Sequence, residues 1–184
     1  MPDTPSLFLF VPADRPERYA GAVAAGADRV IIDLEDAVAP DRKNRARAML
    51  CEELQLATAT PVLLRINGIG TPWHVDDLIA ASSLLDTGRL AGIMLPKAEA
   101  ASDIETLRLA LGPAAMIIAL VESAAGLARA GEIACAADRL AFGSIDFAAD
   151  IGCDHSRDAL LFARSRLVVA ARVARRDAPI DGVT

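Results

Sequence analysis

The side chains in this 184-residue sequence that can do chemistry stand at the ends of short apolar runs. Asp33-Leu34-Glu35-Asp36 follows Val30-Ile31-Ile32 directly. Three carboxylates this close repel one another and call for protonation, a cation or hydrogen-bond donors. They can serve a site, or one can cap the next helix while another pairs with Arg42 or Arg45. Arg65 ends the run Leu63-Leu64 and opens Ile66-Asn67-Gly68. A guanidinium emerging there is shaped to hold a carboxylate through two parallel hydrogen bonds, or it forms an internal salt bridge to Glu35 or Asp36. Glu122 follows Ile117–Val121, and Asp146 follows Ala141-Phe142-Gly143. Two carboxylates with no histidine beside them suit a hard divalent ion such as Mg²⁺ rather than zinc, with waters and ligand oxygens completing the shell. Either acid can instead cap a helix. Lys97, one of two lysines, closes Ile93-Met94-Leu95-Pro96 and can meet a phosphate or an enolate, or stay a loop lysine near Glu99. Arg15 and Arg18 flank Pro16 and offer a second anion site near a helix start.

Several other chemistries lack their residues. Cys153-Asp154-His155 and the distant His74 do not build a zinc site. Gly68-Ile69-Gly70 lacks the dinucleotide-binding spacing, and neither a phosphate-binding GxxxxGK[ST] loop nor a GxSxG nucleophile elbow occurs.

These residues need a scaffold that brings strand ends together. Apolar runs at Leu7–Val11, Arg29–Asp33, Pro61–Ile66, Gly92–Leu95, Ala115–Val121, Arg139–Phe142 and Ile180–Val183 alternate with helical stretches, the signature of βα units on a parallel sheet. The last run is only the beginning of a strand. Asp41–Ala57 places Ala46, Leu50 and Leu54 on one helix face, and Ser156–Arg175 places Leu160, Arg164, Leu167 and Ala171. Ser102 with Glu105 reads as a capping box for a helix carrying Ile104, Leu107 and Leu111. Thr71-Pro72 reads as a cap and first-turn proline ahead of Val75, Leu78 and Ile79. The arginines of the last helix predict a solvated or subunit-facing surface. Nothing in the chain marks a domain boundary, so residues 1–184 read as one domain.

Composition supports this. The hydrophobic share is 53 % with only 4 % aromatic, and 38 residues are alanine, so the core must come from small and branched aliphatic side chains. The net charge of −6 disfavours nucleic acid and anionic lipid as partners. Cys51, Cys135 and Cys153 are odd in number and widely spaced, which predicts free, mostly buried thiols and a cytoplasmic setting. The first apolar run is too short for a signal segment or a membrane span.

The segments LFVPADRPER, VIIDLEDAVAPDRK, LLRINGIGT, IMLPKAE, ALVESAAG and LAFGSIDFAADIG occur in the order and at the spacing of the citrate lyase β-subunit-like proteins of the HpcH/HpaI aldolase superfamily. The resemblance runs from Ser6 to Thr184, with APIDGVT resembling the start of a seventh strand. It implies an α/β TIM (β/α)₈ barrel, here short at its C-terminal end with about seven strands, in a homotrimer or hexamer. It implies a Mg²⁺-dependent carbon–carbon lyase acting on a 3-hydroxy-acyl-CoA thioester of the citryl-CoA or malyl-CoA type. Coenzyme A then enters as part of the substrate, and a small carboxylic or keto acid is the other partner. Glu122 and Asp146 match the Mg²⁺ ligands. Arg65 matches the arginine on the substrate's carboxylate or carbonyl oxygen, and Glu35 and Asp36 the acidic pair that orders Arg65 and metal-bound water. Arg15, Arg18 and Lys97 match the region near the CoA phosphates. Ser123 stands where the family often has threonine. The family's late catalytic aspartate falls beyond Thr184, so no residue here is assigned as the proton-transfer group. A thioesterase or malate-synthase-like activity on a related thioester is the alternative enzyme, and a non-catalytic binding or structural subunit the alternative of another class.

Overall fold

The computed structural model describes residues 4–57 and 60–182. Strands and helices alternate: β1 (Phe8–Pro12), α1 (Tyr19–Ala24), β2 (Arg29–Asp33), α2 (Lys43–Ala57), β3 (Val62–Arg65), α3 (His74–Asp86), β4 (Leu90–Leu95), α4 (Ala101–Leu111), β5 (Met116–Val121), α5 (Ala124–Ala128), α6 (Ala130–Ala136), β6 (Arg139–Phe142), α7 (Ser144–Ile151) and α8 (Arg157–Val173). The sheet takes its strands in chain order, and the pairs β1–β2, β2–β3, β3–β4 and β5–β6 are parallel. That is the strand succession of a (β/α)₈ barrel, represented by six strands among the described residues. The seventh expected strand, Ile180–Val183, is a single parallel bridge from Ile180 to Ala141 among the described residues, while Val183 and Thr184 lie outside them.

The chain divides into two compact units, Met1–Met94 with Ala110–Met116, and Leu95–Leu109 with Ile117–Thr184. In the first, β2 is apolar on both faces, as a parallel strand covered on both sides must be: Val30, Ile31 and Ile32 are buried. Ala46, Leu50 and Leu54 recur every fourth residue on α2 and are fully buried. The α3 reading needs correction. Val75 and Ile79 are each 66 % exposed, and the buried face is Asp77, Ala80, Ala81 and Leu84. Thr71 does not cap α3; its hydroxyl donates to Gly68 O at 2.7 Å, closing a turn, and Trp73 holds the cap position.

In the second unit α4 begins at Ala101, so Ser102 lies within its first turn rather than ahead of it. Ile104 and Leu107 are buried as expected. Ser156 caps α8 by accepting from Ala159 N–H at 3.4 Å, and Leu160, Leu167 and Ala171 face inward. Arg164, which interrupts that stripe, pairs with Asp181 at 3.0 Å and lies over the Phe142 ring. Arg166 donates to Leu127 O and Ala128 O, and Arg176 to Ala134 O and Cys135 O. Part of the basic run therefore satisfies the C-terminal carbonyls of α5 and α6, where cations are favoured. All three cysteines are free, but Cys135 is exposed and Cys51 and Cys153 are half-buried, so burial was overestimated. Among the described residues no helix is long and apolar enough to cross a membrane.

Candidate functional site

Two clusters carry the chemistry, one in each unit, and each forms where strands end.

In the first, parallel register sets Asp33 of β2 beside Arg65 of β3. Asp33 Oδ1 accepts from Arg65 Nε at 2.8 Å and Oδ2 from Nη2 at 2.6 Å, the two-point geometry of a strong arginine–carboxylate pair. Arg65 Nη1 lies 3.0 Å from Glu35 Oε2 and 3.3 Å from Asp36 Oδ2. Phe10 on β1 lies against the guanidinium, 5.2 Å from ring centre to Arg65 Cζ. Burial alone would lower the Arg65 pKa, but the Asp33 hydrogen bonds and the charges of Asp33, Glu35 and Asp36 outweigh it and hold the group above its ordinary value. Hydrogen bonds run from Nε and Nη2 to Asp33 and from Nη1 to Asp36, while Glu35 faces Nη1 as an ion pair.

The internal salt bridge and the site arginine are thus one arrangement, and the partner that matters most is Asp33. Asp33 is 2 % exposed and also accepts from the backbone N–H of Glu35 and Ala37, at 2.8 and 3.1 Å, shaping the loop that carries the other two acids. From within, Lys43 Nζ donates to Leu34 O and Glu35 O, both at 2.9 Å, and lies over the Trp73 ring. Burial pushes the Lys43 pKa down, against the opposing pull of Asp77, Glu35, Asp33 and Asp36. Asn67 Nδ2 donates to Leu34 O at 3.1 Å and to the fully buried Asp77 at 2.6 Å, and Asp77 also holds Arg47 at 2.9 Å. With the loop carbonyls held inside, Glu35 and Asp36 turn their carboxylates to Arg65. Among the described residues Arg42 pairs with Asp14, at 2.9 Å, rather than with this acidic loop.

Asp14, Arg15, Arg42, Arg45 and Met49 line a cavity of about 160 Å³. Three guanidinium groups against one carboxylate make it suitable for an anion. Arg18 is exposed and makes no ion pair among the described residues.

In the second unit, Glu122 follows β5 and is 5 % exposed, while Asp146 stands in the first turn of α7 with its side chain 45 % exposed. Neither acid caps a helix, because Ser123 caps α5 through Gly126 N–H and Gly143 holds the cap position of α7. Glu122 Oε1 instead accepts from the backbone N–H of Lys97 at 2.9 Å. Lys97 Nζ lies 4.0 Å from Glu122 Oε1 and 3.9 Å from Asp146 Oδ2. The Glu99 carboxylate accepts from Ser123 Oγ at 2.7 Å. The Lys97 φ of 51° is left-handed, a conformation costing a non-glycine residue about 1 kcal/mol or more. Residue 143 must be glycine beside Glu122, because a Cβ there would lie 2.6 Å from the Glu122 Cβ. Ser144 is buried and lies 2.9 Å from His155 Nε2.

The donor set fits a magnesium ion. A positive group already lies between two carboxylates, the donors are hard oxygens, and Mg²⁺ takes one or two protein carboxylates with the remaining positions filled by water and ligand. Among the described residues no cluster of three or more histidine, cysteine, aspartate or glutamate side chains offers a closed chelate.

Lys43, Asn67 and Gly143 received no role from the sequence, and Asp33 figured only as one of three acids after β2. Their signals were present in the density of acids after β2, the scarcity of lysine and a glycine beside a candidate ligand.

The chain is similar to known proteins. The sequence model of the family described as HpcH/HpaI aldolase/citrate lyase matches residues 6–183. The chain is 33 % identical over 183 residues to citrate lyase subunit beta of Leuconostoc mesenteroides subsp. cremoris, covering 90 % of this chain and 59 % of that protein. It is 37 % identical over 161 residues to an L-malyl-CoA/beta-methylmalyl-CoA lyase of Cereibacter sphaeroides, covering 78 % and 49 %. It thus spans about half to three fifths of the length of these curated relatives. The solved structure of CitE from Mycobacterium tuberculosis in complex with magnesium, acetoacetate and coenzyme A matches with a TM-score of 0.81 at 36 % identity, covering 98 % of this chain and 67 % of that one.

Proposed function

The chain belongs to the HpcH/HpaI aldolase/citrate lyase family, and from that premise we propose that it serves a Mg²⁺-dependent carbon–carbon lyase acting on a 3-hydroxy-acyl-CoA thioester of the citryl-CoA or malyl-CoA type. The observation that carries this reading is the carboxylate pair Glu122 and Asp146 already gathered around a positive charge. Both would hold the metal. When bound, Mg²⁺ supplies Lewis-acid stabilisation of a keto or enolate oxygen.

The remaining work falls to the chain's own residues. Arg65 offers a guanidinium N–H to a substrate oxygen. With Asp33, Glu35 and Asp36 around it, its charge is more than compensated locally, so a carbonyl oxygen suits it better than a second pair of carboxylate oxygens. Asp33 fixes the plane of the guanidinium, and Glu35 and Asp36 can order water. Arg15, with Arg42 and Arg45, lines the cavity best suited to an anionic group such as a CoA phosphate. Arg18 completes the proposed substrate-binding set; Lys97, expected in it, stands with the acid pair rather than among arginines. In the cleavage direction a base removes the 3-hydroxyl proton, the C–C electrons pass to the thioester fragment, and that fragment is then protonated. The base is not assigned to a residue of this chain. We read the chain as one domain of a trimeric or hexameric barrel in the cytoplasm, a reading supported by family membership and the three free thiols.

Incubation with citryl-, malyl- and methylmalyl-CoA, with and without Mg²⁺, tests the proposal. Mg²⁺-dependent release of a shortened acyl-CoA, reduced at least about 100-fold in Arg65→Ala, supports it; a lost charge-assisted donor of this kind is worth that much. Release of free CoA thiol as the first product would favour the thioesterase or malate-synthase-like reading. Binding without turnover would favour a non-catalytic subunit. Full activity in Arg65→Ala would remove Arg65 from the site.

A further inference from the structure

Lys97 belongs to the second cluster, yet the metal reading gives it nothing to hold. Its ammonium lies 4.0 Å from Glu122 Oε1 and 3.9 Å from Asp146 Oδ2. Its backbone N–H donates to the same Glu122 oxygen, and the left-handed turn at this residue brings main-chain donor and side chain to one carboxylate. Resting on the magnesium reading above, we propose that Lys97 is an internal counter-cation of the Glu122–Asp146 pair, which a divalent ion must displace, so that Lys97 sets the metal affinity of the site.

The electrostatics run in one direction. Glu122 has a side chain only 4 % exposed, so water screens its charge poorly, and a second carboxylate stands on the same cation. Without a divalent ion the ammonium relieves that repulsion. Once the ion arrives, two positive groups within a few ångströms of each other repel, and one must leave. Glu122 is held where it stands, its side chain 4 % exposed and its Oε1 accepting from the Lys97 backbone N–H. Lys97 can leave, because its side chain is 53 % exposed on a flexible four-carbon stem. A phosphate anchor would be badly served here, with a carboxylate about 4 Å from the ammonium on each side.

Titration calorimetry with Mg²⁺ alone, paired with thermal melts, tests this on the full chain and on Lys97→Met, Lys97→Gln, Lys97→Arg and Glu122→Gln. Both uncharged variants should bind Mg²⁺ about tenfold more tightly than wild type, equivalent to about 1.4 kcal/mol. They should melt lower without Mg²⁺ and gain more from its addition, while Lys97→Arg stays near wild type. If wild type binds Mg²⁺ and the uncharged variants bind it no more tightly, the counter-cation proposal falls and the metal site stands. If no variant binds Mg²⁺, and Glu122→Gln behaves as wild type, the magnesium reading falls and the proposal falls with it.

Discussion

Asp33→Asn isolates the interaction that organises the first cluster. The substitution keeps shape and one carbonyl oxygen, so Arg65 Nε and Glu35 N–H retain an acceptor. It removes the charge and sets an amide NH₂ against Arg65 Nη2, now 2.6 Å from Asp33 Oδ2. Removing one partner from a buried ion pair costs about 3–5 kcal/mol. Here Glu35 and Asp36 remain 3.0 and 3.3 Å from Nη1, and a neutral acceptor persists, which brings the expected loss to about 2–3 kcal/mol. At about 2–4 °C per kcal/mol for a chain of this size, the melting temperature should fall by about 5–10 °C. Asp36→Asn is the control: it removes the same charge from the same guanidinium, but its side chain is 60 % exposed and the expected loss is below about 1 kcal/mol. Urea unfolding of wild type and both variants, read by circular dichroism, gives the two differences directly. If Asp36→Asn costs as much as Asp33→Asn, Arg65 is not anchored by the buried carboxylate, and the account of the first cluster is wrong.

Other outcomes follow from single contacts. Tyr19, the only tyrosine, donates to Ala13 O at 2.7 Å, and burial together with the charges of Asp14 and Glu17 raises its pKa well above 10.0. Its contribution to stability is therefore complete below pH 10 and declines as pH rises beyond it, because the unfolded phenol ionises first; tyrosinate absorbance should appear only with unfolding. Tyr19→Phe should cost about 1 kcal/mol at neutral pH and flatten that alkaline decline, and a tyrosinate signal near pH 10 in folded protein would contradict this. Gly143→Ala places a methyl group against Glu122 and, on the magnesium reading proposed above, should weaken Mg²⁺ binding at least about tenfold in calorimetry, because the carboxylate must shift. Unchanged affinity would show that Gly143 does not set the position of that carboxylate.

The strands were legible because burial on both faces writes a continuous apolar run. Arg29–Asp33 and Arg139–Phe142 coincide with β2 and β6 residue for residue. Helix faces were less legible where the buried stripe is polar or small. In α3 the inward position is held by Asp77, whose carboxylate serves Asn67 and Arg47, so the branched residues Val75 and Ile79 fall on the exposed side. An apolar count selects the wrong face whenever an ion pair, rather than transfer of hydrocarbon from water, fixes the helix.

The same distinction governs the site. Charge type at a strand end shows in a linear sequence, and Arg65, Glu35, Glu122 and Asp146 stand out in it as candidates. Which charge neutralises which depends on strand register and loop closure, and neither is written locally. Asp33 and Arg65 meet because register sets the last residues of β2 and β3 side by side. Lys97 reaches Glu122 through one left-handed residue after a strand, where the sequence shows only a lysine following a proline. An ammonium placed beside two carboxylates has a different chemical role from one placed among arginines. The position of Lys97 therefore makes it a competitor for the metal and leaves the cavity lined by Arg15, Arg42 and Arg45 as the better home for an anion.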